Sequence, residues 1–268
     1  MHYIFNMKKV LTLILVTFYC LSAYSQTKTI HVFVALCDNI HQGIVPVPEK
    51  IGNGKDPRLN LYWGAGYGVK SFFKLKTKEW NLVKQIESDN PIILDRLLFK
   101  HATEDIYMLA DAYDGEQIQT CIEQFLLASN AQNPVEIENK NKNLSFGGDS
   151  DLVAYIGHDG LMEFDVYLTY QEVKAKKKDA IMLACFSRYY FSPEIEKAQA
   201  NPILWTTHLM APEAYTLKAA IDGWIKNETG SQIEERAAQA YHKYQKCGIR
   251  GARNLFATGF KKKTADDW

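Results

Sequence analysis

Two short apolar runs, residues 152–160 (LVAYIGHDG) and residues 180–187 (AIMLACFS), determine the fold class of this chain. Each run is almost continuously apolar, which is typical of a strand buried on both faces of a parallel sheet. The first run leads to His158 and the second to Cys185. Because the carboxyl ends of parallel strands meet at one edge of a sheet, neighbouring strands would bring this imidazole and this thiol together. A histidine beside a cysteine is the minimum requirement for a thiolate nucleophile.

Further strands and amphipathic helices alternate along the rest of the chain. Apolar patterns predict strands over 29–37, 105–111 and 203–207, and either a helix or a strand over 92–98. Helices are predicted over 68–75, after Asp114, after Pro212, and from a capping box at 231–234 to about residue 246. The helix after Asp114 has an apolar stripe at positions 118, 121, 122, 125 and 126, which predicts one face packed against a sheet. The polar stretch 130–150 is predicted to be a loop, and 41–68 a long loop rich in Gly, Pro and aromatic residues. This alternation predicts an α/β fold with a mostly parallel sheet and helices on both faces.

The bulk composition limits the classes of partner. The chain has 268 residues, of which 47% are hydrophobic and 23% charged, as in an ordinary globular protein. Its formal net charge is zero. Nucleic acids and anionic membranes favour basic surfaces, so the composition gives no support to either as a partner.

The N-terminus has the pattern of a secretory signal peptide. A basic start after Met7 is followed by an apolar run over 10–23, and small residues precede a cleavage position after Ser25. A membrane anchor is the rival interpretation, but the run is shorter than the ~20 residues that a span requires. We therefore expect a signal peptide over 1–25, one α/β domain over 26–260 and a polar tail over 261–268. The mature protein would be secreted or periplasmic, without a stable membrane anchor.

Four cysteines remain after the predicted cleavage, at positions 37, 121, 185 and 247. They are widely spaced and form no CxxC motif. Export permits disulfides, whereas a core of this size does not require them. The sequence leaves the pairing of Cys37, Cys121 and Cys247 open.

The two reactive runs resemble those of the caspase-like cysteine peptidases, which include caspases, legumains, gingipains and separases. In that family an apolar strand leads to His-Gly and another leads to Ala-Cys; here the matching residues are His158, Gly160, Ala184 and Cys185. This chain departs from the pattern at Asp159, which stands between the histidine and the glycine. The resemblance implies a caspase-like three-layer sandwich and peptide-bond hydrolysis.

The resemblance also implies a role for each matching residue. Cys185 would be the nucleophile and His158 the general acid and base, acting on a peptide or protein substrate without a cofactor. Backbone N–H groups of Cys185 and of Asp159 or Gly160 would form the oxyanion hole. The remaining candidates for substrate binding are Arg188, His208 and His41.

Two other classes of function remain open from the sequence. Asp159 favours a caspase-like protein that has lost activity and serves as a binding or scaffold module. A metal-dependent hydrolase would use side chains expected at the same sheet edge, although none has a recognised local ligand spacing. That candidate metal set is Cys37, His41, Asp111, His158, Cys185 and His208. Thiol alkylation would block a peptidase, a chelator would block a metalloenzyme, and neither would affect a binding module.

Overall fold

The computed structural model describes residues 27–173 and 177–260. The predicted signal peptide and the predicted polar tail lie outside these ranges. Within them, the strands are β1 (Lys28–Ala35), β2 (Trp80–Ile86), β3 (Ile93–His101), β4 (Ile106–Tyr113), β5 (Pro134–Asn139), β6 (Lys142–Gly147), β7 (Leu152–Ile156), β8 (Asp179–Leu183), β9 (Asn201–Thr206) and β10 (Phe256–Ala257). The helices are α1 (Val69–Leu75), α2 (Ile118–Ser129), α3 (Ser187–Lys197), α4 (Ala214–Ile225), α5 (Gly230–Gln245) and α6 (Ile249–Leu255).

Eight of these strands form one mixed sheet in the order β10-β9-β8-β7-β1-β4-β3-β2. The five central strands, from β9 to β4, run parallel, and the outer strands β10, β3 and β2 run antiparallel to their neighbours. The parallel strands β7 and β8 are buried over nearly their whole length, as their apolar sequences require. The prediction of an α/β fold with a mostly parallel sheet is confirmed.

Helices cover both faces of the sheet and give three layers. Alternate residues of β1 face opposite ways: Val32 joins a core with α1, α4, α5 and α6, whereas Phe33 joins a core with α2 and α3. The apolar stripe predicted for α2 is buried against the sheet; it comprises Ile118, Cys121, Ile122, Phe125 and Leu126. The predicted placement of helices on both faces is therefore also confirmed.

Three local predictions were wrong or incomplete. The stretch 130–150 is not a loop, because 134–147 forms the β5–β6 hairpin, whose Ile137 and Leu144 pack onto the sheet. The antiparallel strand β2 was not predicted, and the undecided segment at 92–98 is its partner β3. The capping box of α5 lies two residues earlier than predicted: Thr229 and Gln232 form it. In the part of the chain that the structure describes, no helix is both long and apolar enough to span a bilayer.

Candidate active site

The parallel pairing of β7 and β8 determines where His158 and Cys185 lie. In this ladder Ile156 is the partner of Leu183, and each reactive residue follows its strand by two positions. The Gly157 N–H donates to the Leu183 carbonyl at 3.2 Å, so the pairing continues past the last strand residues. The histidine and the cysteine therefore leave neighbouring strands at the same level, as the sequence predicted.

His158 is buried and held by two side chains. The Tyr155 hydroxyl donates to the His158 carbonyl at 2.6 Å, which fixes the backbone after β7. On the ring, Nε2 lies 2.5 Å from Oε1 of Glu163. A carboxylate oxygen accepts hydrogen bonds, so Nε2–H is assigned as the donor, and Nδ1 has no hydrogen-bond partner among the described residues.

Glu163 is a site residue that the sequence analysis missed. It follows the 3₁₀ turn Gly160–Met162, which returns the chain towards His158. Its Oε1 also accepts from the Gly43 N–H at 2.8 Å, and a Cβ at position 43 would lie only 2.2 Å from that oxygen. The backbone therefore approaches the carboxylate this closely because residue 43 is glycine. No helical or strand periodicity links Glu163 to His158, so the sequence carried no signal for this contact.

Cys185 is partly exposed, and its sulfur contacts the backbone of Met210. The Met210 N–H donates to Sγ at 3.4 Å. Burial raises the pKa of the Cys185 thiol; the Met210 N–H opposes this shift and the Asp159 carboxyl adds to it. Among the hydrogen bonds of the described residues, none joins Sγ to the His158 ring. The Cys185 side chain is thus a protonated thiol at neutral pH.

The turn after Cys185 has an unusual backbone that buried hydrogen bonds hold in place. Phe186 has φ 50° and ψ 26°, a left-handed conformation that a bulky residue adopts only where its surroundings enforce it. The next residue, Ser187, donates to the Met182 carbonyl at 2.8 Å and accepts from the Thr206 N–H at 2.9 Å. The Thr206 hydroxyl in turn donates to the carbonyl of Ala184. These bonds between β8, α3 and β9 fix the position of the thiol.

Asp159 is fully buried and caps the 3₁₀ turn. Its Oδ1 accepts from the Leu161 N–H at 3.1 Å, whereas Oδ2 has no hydrogen-bond partner among the described residues. Burial raises the pKa of this carboxyl to about 8, with the Leu161 N–H opposing and the Glu163 charge adding to the shift. At neutral pH the side chain is therefore mostly uncharged, and it does not place a full negative charge beside His158.

Three backbone donors near the two reactive side chains are available. The N–H groups of Cys185, Asp159 and Gly160 donate to no acceptor within the ranges 27–173 and 177–260. All three lie just beyond the carboxyl ends of β7 and β8. Unpaired N–H groups of this kind are able to donate to an oxyanion.

His41 and His208 lie in loops at the same edge of the sheet. His41 Nδ1 lies 2.9 Å from Oδ2 of the buried Asp38, and this contact raises the pKa of His41. Two residues later the same loop supplies the Gly43 N–H to Glu163. His208 is exposed, its carbonyl accepts from the Phe186 N–H at 3.0 Å, and its ring lies 6.0 Å from that of Phe186.

Arg188 lies in the first turn of α3, three residues after Cys185. Its guanidinium lies over the Trp205 ring at 5.9 Å and donates to the Phe260 carbonyl at 3.2 Å. These contacts tie the start of α3 to β9 and to the segment after β10.

The side chains proposed as a metal set do not come together. Asp111 was expected at a strand end, but β4 continues to Tyr113, so Asp111 lies inside the sheet and pairs with Arg96 and His31. Cys37 is buried, and burial raises the pKa of its thiol to about 11. In the described ranges, no three His, Cys, Asp or Glu side chains are arranged to hold a metal ion. The described cysteines, at 37, 121, 185 and 247, are all free thiols.

No family model, curated protein or solved structure matches this chain significantly. The function of the site is therefore inferred from its geometry alone.

Proposed function

We propose that this protein is a caspase-like cysteine peptidase that hydrolyses peptide bonds with Cys185 and His158. The observation that carries the proposal is the register of β7 and β8, because it delivers the thiol and the imidazole to one edge at one level. The N-terminal sequence pattern supports a secreted or periplasmic location for this activity.

In the first half of the reaction the thiol is activated as it attacks. His158 accepts the Sγ proton, Sγ bonds to the carbonyl carbon of the substrate, and the carbonyl electron pair moves to oxygen. The N–H groups of Cys185 and of Asp159 or Gly160 stabilise this oxyanion. The electron pair on this oxygen then re-forms the C=O bond, and the C–N bond breaks to leave the thioester. The leaving amine takes the proton from His158.

In the second half water replaces the amine. His158 removes a proton from water, the hydroxide adds to the thioester carbon, and the C–S bond breaks as the acid is released. The sulfur then recovers its proton from His158. Glu163 acts as a positioning residue throughout, because its contact with Nε2 orients the ring and stabilises the imidazolium that forms in both halves.

The test is covalent labelling by an electrophilic peptide ketone. Cys247 is exposed and reacts with any electrophile, so labelling is measured by intact mass in the Cys247→Ser background. We expect one adduct per chain, located at Cys185 by peptide mapping, and its loss in the Cys185→Ser variant. His158→Ala should slow labelling by about 100-fold or more, the typical contribution of a positioned acid–base group. A folded protein whose Cys185 does not react would remove the peptidase proposal.

One observation favours a second candidate function, a binding module without catalytic activity. The pKa of the Cys185 thiol is raised, and its sulfur is bonded to the backbone of Met210 rather than to His158. A binding module would keep the fold and leave the thiol inert. The labelling experiment separates the two, since a module shows the same slow reaction at Cys185 with or without His158.

A further inference from the structure

Residues 207–211, which follow β9 and are called the strap from here on, contact the sulfur of Cys185. The Met210 N–H donates to Sγ at 3.4 Å, and the thiol donates to the Met210 carbonyl at 3.6 Å. The backbone of one residue therefore occupies both the lone pair and the proton of the thiol. For His158 to accept that proton, as the proposed mechanism requires, the thiol must first leave the Met210 carbonyl.

The strap is anchored at both ends. At its start, the Thr207 N–H donates to the Leu255 carbonyl at 2.8 Å, and the Thr207 hydroxyl donates to the Asn254 carbonyl at 2.7 Å. At its end, the Ala211 N–H donates to the Tyr241 hydroxyl at 3.0 Å. The first anchor lies at the end of α6 and the second on α5. The contact between the strap and the sulfur thus depends on the packing of these two helices.

Between the anchors, one side chain holds the strap against the core. The Met210 side chain is only 9% exposed and packs into the core between the sheet and helices α4 and α5. Its neighbour Leu209 is 69% exposed and lies outside that core. Burial of the Met210 side chain therefore keeps the Met210 backbone on the sulfur, and Leu209 does not contribute to this placement.

The strap has two opposing effects on the thiol. Burial raises the pKa of Cys185, whereas the Met210 N–H lowers it, and burial is the larger of the two. Displacement of the strap would remove its share of the burial together with this N–H, so the thiolate fraction should rise. Displacement would also free the S–H group from the Met210 carbonyl, which makes its proton available to His158.

We propose that the strap is an autoinhibitory contact: with Met210 in place it holds Cys185 in an unreactive form, and its displacement releases the thiol to react with His158. The regulatory meaning of this contact rests on the proposed peptidase function. The hold of the strap on the thiol is measured independently of that function.

The test measures the rate at which iodoacetamide alkylates Cys185 in the full chain, a reaction that needs no general base. Tyr241→Phe removes only the hydroxyl that accepts from the Ala211 N–H. Alkylation should accelerate about two- to tenfold, the change in population that the loss of one hydrogen bond allows. Tyr244→Phe is the matched control, because Tyr244 lies on the same helix and its hydroxyl makes no hydrogen bond with the strap; its rate should equal that of the wild type.

A second pair of variants acts on the strap itself. Met210→Ala removes the buried side chain and keeps the backbone N–H, so alkylation of Cys185 should accelerate about tenfold or more. Leu209→Ala truncates the exposed neighbour and should leave the rate unchanged. Peptide mapping assigns each adduct. Cys37 and Cys121 are fully buried and should stay unmodified, which excludes global unfolding as the cause.

The proposal is overturned if Tyr241→Phe or Met210→Ala reacts no faster than its control. A slower reaction would mean that the Met210 N–H activates the thiol instead of restraining it. Peptide-ketone labelling should also accelerate in Met210→Ala and keep its dependence on His158. Loss of that dependence would remove the peptidase proposal, whereas unchanged alkylation in the strap variants would remove the autoinhibitory strap, so the two failures are distinguishable.

Discussion

Replacing Asp159 by Asn should change how the stability of this protein depends on pH. Asp159 is fully buried with one oxygen unpaired, and burial raises the pKa of its carboxyl from the ordinary 3.8 to about 8. Between these two values the folded state holds a proton that the unfolded state has released. The free energy of unfolding therefore falls as the pH rises across this window, by up to about 1.4 kcal/mol per pH unit.

The size of the effect follows from the two pKa values. Over the whole window the loss amounts to about 6 kcal/mol, and between about pH 5 and pH 7 it is roughly 3 kcal/mol. Asn cannot ionise, and its side-chain oxygen still accepts from the Leu161 N–H, so Asp159→Asn keeps the cap and removes the pH-dependent loss. At pH 7 the variant should thus be more stable than the wild type by an amount that vanishes towards pH 4.

The assay is urea-induced unfolding at several pH values, with Asp149→Asn as the control because Asp149 is an exposed carboxylate. The difference in unfolding free energy between Asp159→Asn and wild type should grow with pH, whereas the control should follow the wild type. Parallel pH profiles for Asp159→Asn and wild type would refute the reasoning, since they would mean that the Asp159 carboxyl ionises alike in the folded and unfolded states.

Three further predictions concern the site itself. Glu163→Gln keeps the shape but loses the charge beside His158, so peptide-ketone labelling of Cys185 should slow at least about tenfold; a labelling rate equal to wild type would rule out the positioning role. Because burial raises the Cys185 pKa, its alkylation by iodoacetamide, followed by mass spectrometry, should accelerate at a higher pH than that of a free cysteine; an earlier rise would contradict the site as described. Ser187→Ala breaks buried hydrogen bonds to Met182 and Thr206 and should lower the unfolding free energy by about 1–3 kcal/mol in urea titrations; a change below about 0.5 kcal/mol would show that these bonds do not hold the turn.

The sequence predicted the central part of this fold because buried parallel strands have a distinctive pattern. Continuous apolar runs identified β7 and β8, and the carboxyl ends of these strands predicted where His158 and Cys185 lie. The predicted stripe of α2 was confirmed for the same reason, since one face of that helix must meet the sheet.

The remaining features depend on contacts that leave no periodic signal. The β5–β6 hairpin is polar on its exposed side and rich in Asn, so its few apolar residues did not distinguish it from a loop. Asp111 is a charged residue inside a strand, and it is tolerated there only because Arg96 on β3 and His31 on β1 pair with it. Glu163 reaches His158 only through the 3₁₀ turn, whose geometry depends on the Asp159 cap.

The single oxygen of Glu163 that contacts both the His158 ring and the Gly43 N–H has a mechanical consequence. Any molecule that pulls the β1–α1 connection outward must break one of these two bonds or drag the carboxylate with it. Ile40 and Val45 lie on either side of Gly43 in the chain, and their side chains are 83% and 88% exposed. They offer apolar contacts to such a molecule. A displacement of this loop would be transmitted to the His158 imidazole through only two contacts, from Gly43 N–H to Glu163 Oε1 and from Oε1 to His158 Nε2.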